Sequence, residues 1–157
     1  MSIWRDLCRV DATRFTVFGV NSAITTNINI DHAVMGDGDH LEAMLWVRSK
    51  GAPATHTISP AKSSADYVWD IPREIRTGGS GMYAAWIALH GMGFDKAYMA
   101  GFDLHGGYFH DPLNDFGQAA AHEGLRRVWL STSEMWEAKI IGLSGWMAET
   151  FGEIDDD

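Results

Sequence analysis

The 157-residue sequence contains a single cysteine, Cys8, so the chain has no internal disulfide and no cysteine-based metal cluster. It also lacks an apolar run approaching the roughly 20 residues that span a bilayer. The amino terminus shows no basic segment followed by an apolar one, which a secretory signal would need. We therefore expect a cytoplasmic protein that neither crosses nor binds a membrane.

Positive charge is scarce in this chain. Lysine and arginine number 12 against 21 aspartates and glutamates, which gives a formal net charge of -9. Such a surface repels a polyphosphate backbone, so duplex nucleic acid is not an expected partner. A single nucleotide remains compatible, because a local group of backbone N–H groups can hold a phosphate. Residues 153–157 are expected to form a solvated acidic tail.

The length and apolar content suit one domain, which we assign to residues 1–152. Strand-like and helix-like patterns alternate along it. Strands are predicted at 15–21, 32–36 and 97–103, with further short segments at 55–59 and 67–72, and helices at 2–10, 40–48, 80–92, 116–129 and 131–141. This alternation predicts an α/β fold in which a doubly wound, mostly parallel sheet carries helices on both faces.

The Thr-Gly-Gly-Ser-Gly segment at residues 77–81 opens an apolar helical run. Backbone N–H groups at the positive end of a helix bind phosphate readily. The predicted strand at 97–103 ends in Gly101 and Asp103, and ligands of open parallel sheets sit at the carboxyl ends of strands. We therefore expect a nucleotide or another phosphorylated ligand. The alternative is that the glycines only allow a turn and that Ser80 only caps a helix.

Four segments together resemble the nucleotide-binding core of the bacterial CMP-sialic acid sialyltransferases of glycosyltransferase family 42. They are the strand-ending Asn21, residues 37–41, residues 79–81 and residues 93–103. The resemblance covers residues 15–110 and extends to a wider group of small, often phage-encoded proteins of that fold. It implies a Rossmann-like fold with a CMP-sugar lying across the carboxyl edge of the sheet.

The resemblance also implies individual binding and catalytic residues. Those that would contact the nucleotide or sugar are Asn21, Asp37, Gly79, Ser80, Gly81, Gly101 and Asp103. Two tyrosines assist the departing phosphate in the family, and His105 and Tyr108 fall at their places. The family's general base is a histidine, whose place could be taken by His110 or His122. Histidine suits this role because its unperturbed pKa lies close to neutral pH.

One departure from the family concerns the first strand. The family begins with a strand and a glycine-rich turn, whereas residues 1–4 here already match the start of the following helix. We expect a sheet without its usual first strand, whose place is filled by another segment or by a partner chain. An unpaired sheet edge would favour a homo-oligomer. Besides a transferase, the sequence thus allows an inactive protein that captures a nucleotide or a host protein, or a structural or assembly protein.

Two remaining features have simpler explanations. The polar segments 37–40 and 105–111 match no known metal-ligand spacing, so neither a metal nor a cofactor is predicted. Four tryptophans stand in predicted helices among apolar residues, and we expect them to pack in the core: Trp46, Trp86, Trp129 and Trp136. Trp69, next to Asp70, is a candidate lid residue instead.

Overall fold

A computed structural model of the chain describes residues 10–21, 23, 30–36, 46, 56–59, 65–102, 104, 118–136 and 138–152. The chain divides into two compact units. The first unit is Ala12–Ile87, and the second comprises Met1–Asp11 and Ala88–Asp157. That residues 1–152 form one domain stays a prediction.

The first unit contains a four-stranded parallel sheet in the order β1-β2-β3-β4. Its strands are β1 (Phe18–Val20), β2 (His32–Val34), β3 (His56–Ser59) and β4 (Tyr67–Val68). The register pairs Val20 with Val34 between β1 and β2, and Val34 with Ile58 between β2 and β3. Because the strands are parallel, their carboxyl ends all lie at one edge of this sheet.

In the described part of this unit, an α-helix packs on the sheet. It is α1 (Gly79–Trp86), which contacts β1 and β2 and continues as a π-helical segment, Ile87–Gly91. Met82, Ala84 and Ala85 of α1 are buried, which agrees with the apolar character of its sequence. A helix predicted over residues 80–92 is thereby confirmed.

Among its described residues, the second unit contains a two-stranded parallel sheet and two α-helices. Strand β5 (Ala97–Met99) pairs with β6 (Ile140–Gly142), and the helices are α2 (Gln118–Ser131) and α3 (Gly145–Phe151). Trp129 and Trp136 are buried with their ring centroids 4.8 Å apart. Their predicted place in a core is confirmed.

Two predictions need correction. The helix predicted at 131–141 is wrong, because Ser133–Met135 is a short 3-10 turn and Ile140–Gly142 is a strand. Ala138 has a φ of 58°, which no right-handed helix accommodates. The β-branched residues Ile140 and Ile141 are in a strand that pairs with β5, where Ile140 lies opposite Ala97. Trp46 is 64% exposed, so its predicted core position is also wrong.

The fold is mixed α/β. The described strands form two separate parallel sheets, and a single doubly wound sheet that lacks its first strand stays a prediction. The predicted helices at 2–10 and 40–48 lie outside the described residues, apart from Val10 and Trp46. Among the described helices, none has the length and apolar character needed to cross a bilayer.

Candidate ligand-binding site

Asn21 directly follows β1, at the carboxyl edge of the four-stranded sheet. Its backbone adopts a left-handed conformation with a φ of 50°. Within the described part of the chain, its side-chain oxygen Oδ1 is buried and has no hydrogen-bond partner. A buried acceptor without a donor costs about 1–3 kcal/mol. Such unsatisfied groups and strained backbones concentrate at functional sites.

The glycine and serine loop meets the same edge at the next strand. Gly36 follows β2 closely, and its backbone N–H donates a hydrogen bond of 3.0 Å to Oγ of Ser80 in the first turn of α1. A Cβ atom added to Gly36 would lie 2.7 Å from Ser80 Oγ and 2.7 Å from Cε2 of Tyr83. Only glycine therefore permits this close approach of strand end and helix start.

Ser80 does not cap α1. The N-cap residue is Gly78, which has no side chain to satisfy the amides of the first turn, and Gly79 has a φ of 76°. Ser80 is buried inside the helix, and its hydroxyl oxygen accepts from Gly36 instead. The alternative interpretation of this serine as a simple helix cap is thus wrong. The start of the helix has no side-chain cap from its N-cap residue, which is compatible with an anion bound to its amides.

Replacing Ser80 with alanine is expected to lower the free energy of unfolding by about 1–2 kcal/mol, since the part-buried Gly36 N–H then loses its acceptor. Urea denaturation of the variant and the wild type measures this difference. The exposed Ser133 provides the matched control, because Ser133→Ala should change stability by less than about 0.5 kcal/mol. Equal effects of the two substitutions would show that the contact between Gly36 and Ser80 does not stabilise the first unit.

Two residues near this loop were not identified from the sequence. The Tyr83 hydroxyl donates a hydrogen bond to the backbone oxygen of Arg76. The Arg76 Nε atom donates to the Ile71 oxygen at 3.2 Å, and its guanidinium lies 3.6 Å from Asp70. These contacts hold the Arg76 guanidinium, paired with Asp70, shortly before the glycines. Tyr83 lies three residues after Ser80, a spacing that places both on one side of a helix and could have indicated it.

Two other predicted residues lie in the second unit. Gly101 follows β5 and has a φ of 74°, so a left-handed turn ends that strand. His122 lies on α2 and is half-buried. Nearby in the same unit, the guanidinium of Arg126 donates to the backbone oxygen of Leu104, which also has a positive φ, of 51°. Arg126 thereby holds the turn that follows β5.

The structure brings Asn21 and Ser80, with the glycines at 79 and 81, to one unit and to neighbouring strand ends. Five predicted site residues lie outside the described residues: Asp37, Asp103, His105, Tyr108 and His110. Residues 37–40 and 105–111 likewise lie outside the described residues. Across the portion that is described, no group of three or more histidine, cysteine, aspartate or glutamate side chains is placed to hold a metal ion.

The described residues define a mixed α/β protein with a polar, partly unsatisfied edge on its parallel sheet. No family model matches the chain, and comparisons with curated proteins and with solved structures gave no significant match. Function is therefore inferred from the geometry of this edge together with the sequence resemblance.

Proposed function

We propose that the protein binds a nucleotide or nucleotide-sugar at the carboxyl edge of the four-stranded sheet, in the manner of the CMP-sugar-dependent glycosyltransferases that its sequence resembles. The observation that carries this proposal is Asn21. Its side-chain oxygen is buried without a hydrogen-bond partner in the described part of the chain, on a left-handed backbone, directly after a parallel strand. A ligand that donates a hydrogen bond would satisfy this oxygen.

The glycine and serine loop supports a phosphate on the same ligand. Ser80 lies against the carboxyl end of β2, the neighbour of β1. The amides that open α1 and the positive end of its dipole favour an anion there. Arg76 lies close to the loop, but its guanidinium is paired with Asp70 at 3.6 Å, so the helix start supplies the attraction for an anion in a chain whose net charge is -9. A phosphorylated ligand is thus favoured locally although the whole protein repels anions.

A transferase reaction would need further residues at the site, including a base and groups that assist the departing phosphate. A base removes the proton from an acceptor hydroxyl, the hydroxyl oxygen attacks the anomeric carbon, and the bond from that carbon to the phosphate oxygen breaks, releasing CMP. By the resemblance, His110 or His122 would be the base, and His105 and Tyr108 would assist the phosphate. Glycosyl transfer in the cytoplasm is therefore the activity that we propose, with nucleotide capture without turnover as the second candidate.

A thermal-shift screen tests the binding proposal. CMP and CMP-sialic acid at about one hundred times their Kd should raise the melting temperature by roughly 5–10 °C, because a ligand selective for the native state stabilises it by about 2.7 kcal/mol. The shift should not depend on divalent metal. UDP-sugars and adenine nucleotides are the matched controls. No shift with any CMP compound would contradict the proposal.

Turnover separates the two candidates. Release of CMP from CMP-sialic acid in the presence of acceptor sugars, lost on replacement of His105, Tyr108 and His110 with alanine, would support the transferase. Binding of CMP that survives this triple replacement, without release of CMP from the donor, would support capture.

A further inference from the structure

Trp69 directly follows β4, at the carboxyl edge that also holds Asn21. Its indole Nε1 atom is buried, and it has no hydrogen-bond partner in the part of the chain that the structure describes. The indole N–H can only donate. By comparison, Nε1 of the buried Trp136 donates to Oγ1 of Thr132 at 3.2 Å. Trp69 is thus a tryptophan whose polar group is shielded from water without the acceptor that such a group normally has.

The two unsatisfied groups lie far apart along one edge. Asn21 follows β1 and Trp69 follows β4, which are the outermost strands of the order β1-β2-β3-β4. Neighbouring strands lie about 4.8 Å apart, so three steps across the sheet separate these strand ends by about 14 Å. The groups are also complementary in kind, since Asn21 offers an acceptor and Trp69 a donor. A phosphate or a single sugar ring cannot reach both.

We propose that this edge binds an elongated ligand of the nucleotide-sugar class, whose nucleotide lies near Asn21 and Ser80 and whose far part accepts a hydrogen bond from the indole N–H of Trp69. This inference rests on the proposed function and extends it from the nucleotide to the group attached to it. Trp69 is only half-buried as a residue, so a ligand at this edge can contact it, and the proposal requires the shielded N–H to be uncovered when the ligand binds. The hydroxyl, carbonyl and carboxylate oxygens of a sugar acid are suitable acceptors.

The substitution Trp69→Phe removes the N–H and keeps an aromatic ring. Calorimetric titration of the variant should show CMP-sialic acid bound about tenfold more weakly than by the wild type, as expected for one buried hydrogen bond. The affinity for CMP, which does not reach Trp69, should change by less than about twofold on the same scale. The control Trp146→Phe alters a tryptophan of the second unit that packs on Phe151, and it should change neither affinity.

The outcomes separate the inference from the proposed function. Equal weakening of both ligands by Trp69→Phe, or no weakening of either, would overturn the role of Trp69 while leaving nucleotide binding intact. Failure of the wild type to bind either compound would overturn the proposed function and this inference with it. If the variant does not fold, the indole N–H signal of Trp69 in the NMR spectrum of the wild type decides instead. CMP-sialic acid should shift that signal and CMP should not, and the reverse or equal shifts would contradict the inference.

Discussion

Replacing Gly142 with alanine is expected to lower the free energy of unfolding by about 3 kcal/mol or more. Gly142 ends β6, where α3 passes close to it. A Cβ atom at this position would lie 2.7 Å from Cα of Ala148, and closer still to the Ala148 nitrogen and the Met147 carbonyl carbon. These are backbone atoms of α3, so the whole helix would have to shift. Since a domain is stable by only about 5–15 kcal/mol, this substitution removes a large share of the total.

Gly124 provides the matched control for this prediction. It lies within α2, it is exposed, and no heavy atom lies within 4 Å of the position a Cβ would take. Gly124→Ala should therefore stabilise the protein by about 0.5–1 kcal/mol through the higher helix propensity of alanine. Urea denaturation measures both variants. A loss of less than about 1 kcal/mol for Gly142→Ala would contradict the close packing of α3 on β6.

Replacing Asn21 with glycine is expected to have opposite effects on stability and on binding. Glycine adopts the left-handed backbone of this position without strain, and the substitution also removes the buried Oδ1 atom that has no partner among the described residues. Removal of the unsatisfied oxygen should outweigh the greater unfolded-state entropy of glycine, so the free energy of unfolding should rise by about 0.5–1 kcal/mol. Affinity for CMP should fall about tenfold or more, because the ligand loses its acceptor. A residue that lowers stability and is retained for binding would behave in this way.

The substitution Ala138→Gly is the control for Asn21→Gly, because it relieves a left-handed backbone without changing the candidate site. Ala138 has a φ of 58°, it is exposed, and it lies in the second unit before β6. Ala138→Gly should raise stability by about 1 kcal/mol by the same conformational argument, and it should leave the affinity for CMP unchanged. A fall in affinity with both variants would mean that backbone rigidity, and not the Asn21 side chain, determines binding.

Sequence patterns predicted the elements whose conformation is determined by residues that are close together in the sequence. The strands that became β1 and β2 are short runs of apolar residues bounded by polar ones, and the helix that became α1 is mostly apolar after its first turn. Strand β6 was missed because its three residues follow a helix-like pattern and are fixed as a strand only by pairing with β5. Helix α3 follows directly on that strand, so the same error concealed it.

The candidate site was predictable only in part, for a similar reason. Asn21 and Ser80 stand at a strand end and in a glycine loop, which the sequence itself displays. The contact between Gly36 and Ser80 joins positions 44 residues apart, and no local pattern indicates such a pair. Arg76 and Trp69 become candidates only when their backbone contacts and burial are known, since an arginine or a tryptophan in a polar segment is otherwise unremarkable.

The most direct test of a nucleotide site at Asn21 is a calorimetric titration of CMP into the wild type and into Asn21→Gly under identical conditions. The wild type should bind CMP, and the variant, at least as stable as the wild type, should bind it about tenfold more weakly or not at all. Equal affinities of the two proteins, or no heat of binding with the wild type, would contradict a nucleotide site at this edge of the sheet.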